Sequence, residues 1–286
     1  MHSAFSGKKD NMSKIGNAIY EIHHMDTIAA RDQWVNQIHP LVKFVITVFY
    51  IAVVVSFPKY DVIGLAGMVI YPLAMFILAE LSFRDSLKRL RVVLPLVCLI
   101  GIFNPFFDKL SVTVCGIRMS AGVLSMLTLM MKGIFSVLAS YLLIATTSIE
   151  KLCYALRLLH VPQILVTQIM LTYRYITVLL SEVNRMTQAY ALRAPGQKGI
   201  HFKVWGSLTG QLLFRSMDRA TAVYESMTLR GYQGEFHYIG EKAKWRKQDF
   251  CYLAVWLILI LLFRRVPVIL VAGRLTGGLF GRKRLI

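Results

Sequence analysis

Acidic residues are scarce in this chain. Its 286 residues include 15 Asp and Glu against 33 Lys and Arg, giving a formal net charge of +18 and a pI near 10.0. No acidic pair falls inside an apolar stretch, where a proton or ion site within a membrane would need one. Cysteine is equally sparse. Cys98, Cys115, Cys153 and Cys251 form no C-x-x-C, and Cys98 and Cys251 lie within apolar blocks, so they read as small buried side chains rather than disulfide partners. P-loop, H-E-x-x-H and G-x-S-x-G patterns are all missing, which excludes a self-contained nucleotide hydrolase, zincin or α/β-hydrolase. The chain is therefore expected to be non-catalytic and to bind no cofactor itself. Seven histidines show no ligand spacing with Cys, Asp or Glu, and His23 and His24 are adjacent, so no metal ligands are assigned. The first 40 residues are polar and lack an early apolar core, so no cleavable signal peptide is expected.

What the chain has in abundance is apolar sequence. With 56% hydrophobic residues and a mean hydropathy of +0.55, it belongs with integral membrane proteins embedded in a lipid bilayer. Its basic residues flank apolar blocks instead of forming a stripe on a soluble domain, so no nucleic acid partner is expected. The blocks are 41–57, 62–79, 92–107, 121–147 and 250–263, and each is read as one crossing. Lys132 is the one charge well inside a block. It finds no obvious partner in the sequence and reads as an inward-facing or snorkelling lysine. Residues 1–40 and the loop 80–91 are basic, whereas 58–61 and 108–118 carry only Lys59, Lys109 and Arg118. The Lys/Arg bias then places the N-terminus, the 80–91 loop and everything from 148 to 249 in the cytoplasm. A single last crossing puts the basic tail, with Arg282, Lys283 and Arg284, outside, against that bias.

The segment 149–248 holds 14 Lys/Arg against 6 Asp/Glu yet keeps helical apolar patterns throughout. Residues 164–180 are apolar but interrupted by Gln168, Thr172 and Arg174, as expected of a helix lying against a membrane surface. A second pattern ends at Tyr190-Ala191-Leu192-Arg193-Ala194, followed by Pro195. After a connection at 195–206, a third carries Leu213, Met217, Ala220, Tyr224 and Met227 on one face, with Arg215, Asp218, Arg219 and Glu225 opposite. It ends at Met227-Thr228-Leu229-Arg230-Gly231. Pro195 cannot continue a helix and Gly231 suits a left-handed cap, so both Leu-Arg-small endings place an arginine in a last helical turn. There its charge complements the helix end and its guanidinium projects beyond the rod. A single arginine so placed is ordinary. Two, 37 positions apart in one polar segment, mark Leu192, Arg193, Ala194, Leu229, Arg230 and Gly231 as candidate binding residues.

The run from Ser148 to Phe236 resembles the transmembrane T component of energy-coupling-factor transporters, an ABC importer class, and within it the cobalt/nickel CbiQ type. The likeness rests on Leu156-Arg157-Leu158-Leu159-His160-Val161-Pro162, on Tyr173-Arg174-Tyr175, on Arg215-Ser216-Met217-Asp218-Arg219-Ala220, and on Tyr224 to Gly234. Met25-Asp26 and His39-Pro40-Leu41-Val42-Lys43 also fit. The resemblance implies an all-α integral membrane protein of about five transmembrane helices, with cytoplasmic amphipathic coupling helices inserted between the fourth and fifth. The divisions are then a lead-in at 1–40, four membrane helices at 41–147, the coupling region at 148–249, and a last membrane helix with basic tail at 250–286. It implies two ATP-binding cassette ATPase subunits that use the ATP, and a separate CbiM-like membrane subunit that binds substrate, in the plasma membrane of a prokaryote. Residue by residue, the arginines that dock into the ATPases fall on Arg193 and Arg230. The first motif reads Leu-Arg-Ala-Pro here, where members of the family often read Ala-Arg-Gly. The competing reading is a self-sufficient carrier or channel, which would show inverted repeats and broken helices with polar groups at mid-membrane.

Overall fold

The computed structural model describes residues 27–29, 33–81, 95, 99, 111–114, 117–194, 200–234 and 245–265. The chain divides into two compact units, one of Ala30–Thr147 with Lys242–Ile286, the other of Ser148–Glu241 with Met1–Ala29. The basic loop 82–91, nearly all of the third apolar block, the connections 195–199 and 235–244, and the tail from 266 lie outside the described residues. Of the five expected crossings, the third, 92–107, lies outside the described residues apart from positions 95 and 99.

In the first unit the helices are α1 (Trp34–Gln37), α2 (Pro40–Val55), α3 (Val62–Gly67), α4 (Ile70–Leu78), α5 (Ala121–Thr146) and α9 (Lys247–Arg265). Pro40 opens α2 at a position where its missing N–H costs nothing. Val42, Ile46, Tyr50 and Val54 recur every four residues and are fully buried. Leu124, Thr128, Phe135, Ala139 and Leu142 of α5, and Tyr252, Trp256 and Ile260 of α9, complete the core. Tyr50 stacks on Tyr71 at 4.4 Å, and Trp256 meets Tyr71 edge-on at 4.8 Å. The second apolar block is not one helix. It breaks at Met68-Val69 between α3 and α4, and the Tyr50 hydroxyl donates to the freed Met68 carbonyl at 2.9 Å. A Cβ at Gly64 would lie 2.5 Å from the Asp61 carboxylate, so a larger residue there would push aside the side chain that caps its N–H.

Helix ends in this unit are tied by charged side chains. At the start of α9, Asp249 is 2% exposed and accepts the backbone N–H of both His39 and Arg246, at 2.9 and 2.8 Å. Lys43 is also buried and donates to the Thr146 carbonyl at the end of α5. At the other end of α2, Lys132 donates to the Val55 and Phe57 carbonyls at 3.0 and 2.6 Å, and Arg264 donates to the Ser56 carbonyl while lying over the Phe57 ring. Lys132 thus has partners the sequence did not reveal, because they are backbone carbonyls left open where α2 stops.

One element departs from an all-helical chain. The polar connection expected at 108–118 contains an antiparallel hairpin, β1 (Ser111–Val114) and β2 (Ile117–Ser120), with Ser111 opposite Ser120 and Val114 opposite Ile117. Val112, Thr113, Val114 and Ile117 favour extended backbone, and only Cys115-Gly116 intervenes.

The second unit is built from α6 (Ile149–Leu158), α7 (Gln163–Arg193) and α8 (Phe202–Leu229). Ser148 caps α6, with Glu150 in its first turn and Arg157 in its last. His160, at φ +61°, ends it, with Val161 N–H bonded back to the Leu156 carbonyl. Pro162 then precedes α7, which runs 31 residues without interruption. The apolar interval 164–180 and the helix ending at Arg193 are therefore one rod. By length and composition α5 and α7 are both able to cross a membrane, while α2 is a shorter apolar helix. Helix α8 starts at Phe202, earlier than the sequence suggested, because Gly206 and Gly210 weakened the helical signal over its first turns.

Because both oxygens of Asp249 are occupied, Asp249→Ala is expected to lower stability by about 1–3 kcal/mol. Asp249→Asn, which keeps one acceptor, is expected to lose less. Thermal unfolding of the two variants in detergent gives the order, and an Asn variant as unstable as Ala would show that the carboxylate does not act through these bonds.

Candidate functional site

The six candidate residues occupy the C-terminal ends of α7 and α8. Arg193 is the last residue of α7. Ala194 leaves the helical region at φ −125°, as the residue before a proline must, and its N–H bonds to the Tyr190 carbonyl at 3.0 Å. At the end of α8, Gly231 N–H bonds to the Thr228 carbonyl and Tyr232 N–H to the Met227 carbonyl, a complete Schellman closure. Gly231 has φ +84°, so its requirement is conformational. A Cβ there would meet nothing within 4 Å, so the space around Arg230 does not depend on the glycine being small.

Both ends are open to solvent. Leu192 is 74% exposed and Leu229 90%, and each adjoins an exposed arginine. Among the described residues neither Arg193 nor Arg230 makes an ion pair. A leucine that exposed beside a guanidinium supplies an apolar anchor and a planar set of donors for carboxylate or carbonyl oxygens.

The two ends are also far apart. Tyr190 accepts the His201 N–H at 3.5 Å, so the last turn of α7 lies beside the first turn of α8. Helix α8 then runs back along α7, with Glu182 paired to Arg215 and Tyr175 beneath Arg219 at 5.8 Å. Arg193 therefore sits near the start of α8 and Arg230 at its end. The 28 residues between give a separation of about 42 Å along the rod, at 1.5 Å per residue.

The faces of α8 are not arranged as periodicity suggested. Periodicity suggests that the stripe Leu213, Met217, Ala220, Tyr224 and Met227 packs on a neighbouring helix, with Arg215, Asp218, Arg219 and Glu225 on the opposite face. Instead Arg215 and Arg219 reach α7, while Leu213, Met217 and Tyr224 are each more than half exposed. The half-covered residues are Val204, Leu208, Gly210, Leu212, Ser216, Val223 and Met227, of which Leu212, Ser216 and Val223 lie one residue round the helix from Leu213, Met217 and Tyr224. The apolar arc of α8 is wider than one neighbouring helix can cover. No residue of α8 is buried, and α7 buries only Thr167.

Other chemistry in this unit is slight. Between α6 and α7 a cavity of about 30 Å³ is lined by Cys153, Arg157, Gln163 and Thr167, room for a single water. Burial pushes the Cys153 thiol up, and nearby Glu150 adds to it, which disfavours the nucleophilic thiolate. Among the described residues no three of His, Cys, Asp and Glu come together.

Two helices long and apolar enough to cross a membrane, beside further shorter apolar helices, point to a helical membrane protein. Comparison with known families is then specific. The chain belongs to the CbiQ family of cobalt transport proteins, whose family model matches residues 31–238. It is also similar to the nickel permease LarQ of Lactiplantibacillus plantarum, 28% identical over 121 residues. That match spans 41% of this chain and 43% of the relative, less than half of either.

Gly231→Ala places a β-carbon on a left-handed residue, at a cost of about 1–2 kcal/mol. The expected result is faster amide exchange confined to the last turn of α8 and Tyr232. Unchanged exchange there would mean that the Schellman closure does not hold the turn.

Proposed function

We propose that this chain is the membrane-embedded coupling subunit of an ATP-driven importer for cobalt or nickel. It would join two ATP-binding cassette subunits in the cytoplasm to a separate membrane subunit that binds the ion. The observation that carries this reading is the separation of Arg193 and Arg230. Two chemically alike Leu-Arg ends, about 42 Å apart on one hairpin, suit two like partners better than one. The exposed stripe on α8 supports it further. Leu213, Met217 and Tyr224 form an apolar surface that calls for another chain or lipid to cover it.

On this reading ATP-driven closure of the two ATPases draws the two arginine ends together. The hairpin carries that movement, and the apolar stripe passes it to the substrate-binding subunit. The chain holds no nucleotide itself, and the ion is cargo of the assembly. The Lys/Arg bias supports a cytoplasmic N-terminus and a cytoplasmic Ser148–Glu241 unit, in the plasma membrane. A surface-lying α7 also accommodates Arg174, Glu182 and Arg185, which a crossing would bury in lipid. Labelling intact cells with an impermeant thiol reagent tests the orientation. Gln197→Cys is expected to stay unlabelled until the membrane is opened, and ready labelling from outside overturns the arrangement.

Arg193→Glu combined with Arg230→Glu is expected to abolish co-purification of the ATPases and metal uptake while the melting curve of the chain alone changes little. Substitution at exposed sites usually alters stability by about 0.5 kcal/mol. Loss of one partner of a buried charge pair at an interface costs about 2–5 kcal/mol, and reversal adds repulsion. Of the single changes, Arg230→Glu is expected to be the more severe, since it stands on the Schellman-closed end. Full ATPase recovery with the double variant would rule out this docking mode, and failure to fold would make the arginines structural.

A further inference from the structure

The α7–α8 hairpin has a mechanical problem. Its helices contain 31 and 28 residues, yet α8 buries none and α7 only Thr167. Apolar packing therefore does little to fix how the two rods cross. Directional contacts must supply the geometry, and two of them fall side by side. Glu182 of α7 accepts Arg215 of α8, and Tyr175 of α7 lies beneath Arg219 of α8. On α7 the two residues are seven apart, two turns along one face. On α8 they are four apart, again on one face.

Glu182 is the more constrained partner. Its side chain is only 20% exposed, and Arg185 of its own helix also approaches it at 3.5 Å. It is thus a mostly covered carboxylate between two guanidinium groups. An exposed ion pair adds little to stability. Orientation is another matter, because a guanidinium fork meets a carboxylate in a narrow range of directions. The aromatic contact four residues further on supplies a second fixed point, and two points define a crossing where one defines only a pivot.

We propose that Glu182 is a positioning residue: with Arg215, and braced by Tyr175 and Arg219, it forms the joint that sets the crossing of α7 and α8 and so the placement of their two arginine-bearing ends. This rests on the coupling reading above for its role in transport, though not for the joint itself. Loosening the joint leaves both ends able to dock, but movement of one is absorbed at the crossing instead of being passed on. The signature is uncoupling rather than loss of assembly.

The test has two arms. In the first, the full chain alone carries spin labels at Gln168→Cys and Ser226→Cys with its native cysteines replaced, and the distance distribution between them is measured. Glu182→Gln and Arg215→Gln are each expected to broaden the distribution or shift its mean by about one helical turn, roughly 5 Å. Glu182→Lys with Arg215→Glu is expected to restore it, and Arg185→Ala to leave it unchanged. In the second arm, the assembled transporter carrying Glu182→Gln is expected to retain its ATPases and hydrolyse ATP. Its Co²⁺ or Ni²⁺ uptake per ATP is expected to fall about fivefold or more, with recovery in the reversed pair. An unchanged distribution in both neutral variants overturns the joint. Altered distances with unchanged uptake per ATP overturn its role in coupling. Failure of the unmodified chain to recover any ATPase refutes the coupling reading instead and leaves the first arm to decide on the joint.

Discussion

Two long helices that bury almost nothing impose the main constraint on this molecule. A solvated helix of about 30 residues normally owes its stability to an apolar face packed on something. In α7 and α8 that face is only half met: Val204, Leu208 and Leu212 are partly covered, while Leu213, Met217 and Tyr224 stand open. The contacts that shape the hairpin lie at its ends and joints, namely the close of α7 at Arg193, the Schellman turn at Gly231 and the ion pair of Glu182 with Arg215. That leaves Leu213, Met217 and Tyr224 as an apolar face that another chain or lipid would cover.

The Ala30–Thr147 and Lys242–Ile286 unit solves the opposite problem. Its helices share a well-filled core, and the difficulty lies where helices stop and leave carbonyls or N–H groups open. Charged side chains close those gaps. Lys132 and Arg264 converge on the Phe57 and Ser56 carbonyls just past the end of α2, Lys43 on that of Thr146, and Asp249 on two backbone N–H groups. In an apolar solvent each such bond replaces one that water would have made. Charges in apolar blocks here serve backbone ends, which is a different role from a proton or ion relay.

This explains what could and could not be read from the sequence. The two arginine ends were legible because Pro195 and Gly231 act locally: each dictates where a helix must end whatever surrounds it. The core stripe of α2 was legible as a run of apolar residues, since Val42, Ile46, Tyr50 and Val54 repeat at helical spacing. The direction of the α8 stripe was not. Periodicity identifies an apolar arc but not which part of a wide arc the neighbouring helix takes, and here it takes the edge bearing Arg215 and Arg219. Lys132 is inward-facing as read, but its partners were hidden for a related reason, because they are carbonyls and carbonyls have no signature in sequence. The hairpin at 111–120 was hidden within a stretch read only for its polarity, although Val112, Thr113 and Val114 carried the signal. Gly206 and Gly210 likewise concealed the true start of α8.

If the chain is a coupling subunit, stiffness has to be distributed in a particular order. A rod transmits force only when its internal joint yields less than its end contacts. The ends are well built for this: Arg193 closes α7 where proline stops the helix, and Arg230 sits on a turn closed by two backbone bonds. The open question of such a rod is always its middle, and in α7–α8 the middle has no core to lock it. A carboxylate only 20% exposed and held by guanidinium groups then supplies direction where apolar burial does not, since a guanidinium fork meets a carboxylate over a narrow range of angles. It also leaves the apolar face of α8 free. A hairpin locked by leucines would have used up the surface it needs for a partner. Locking by charge on one edge and recognition by apolar residues on the next lets a single helix perform both tasks.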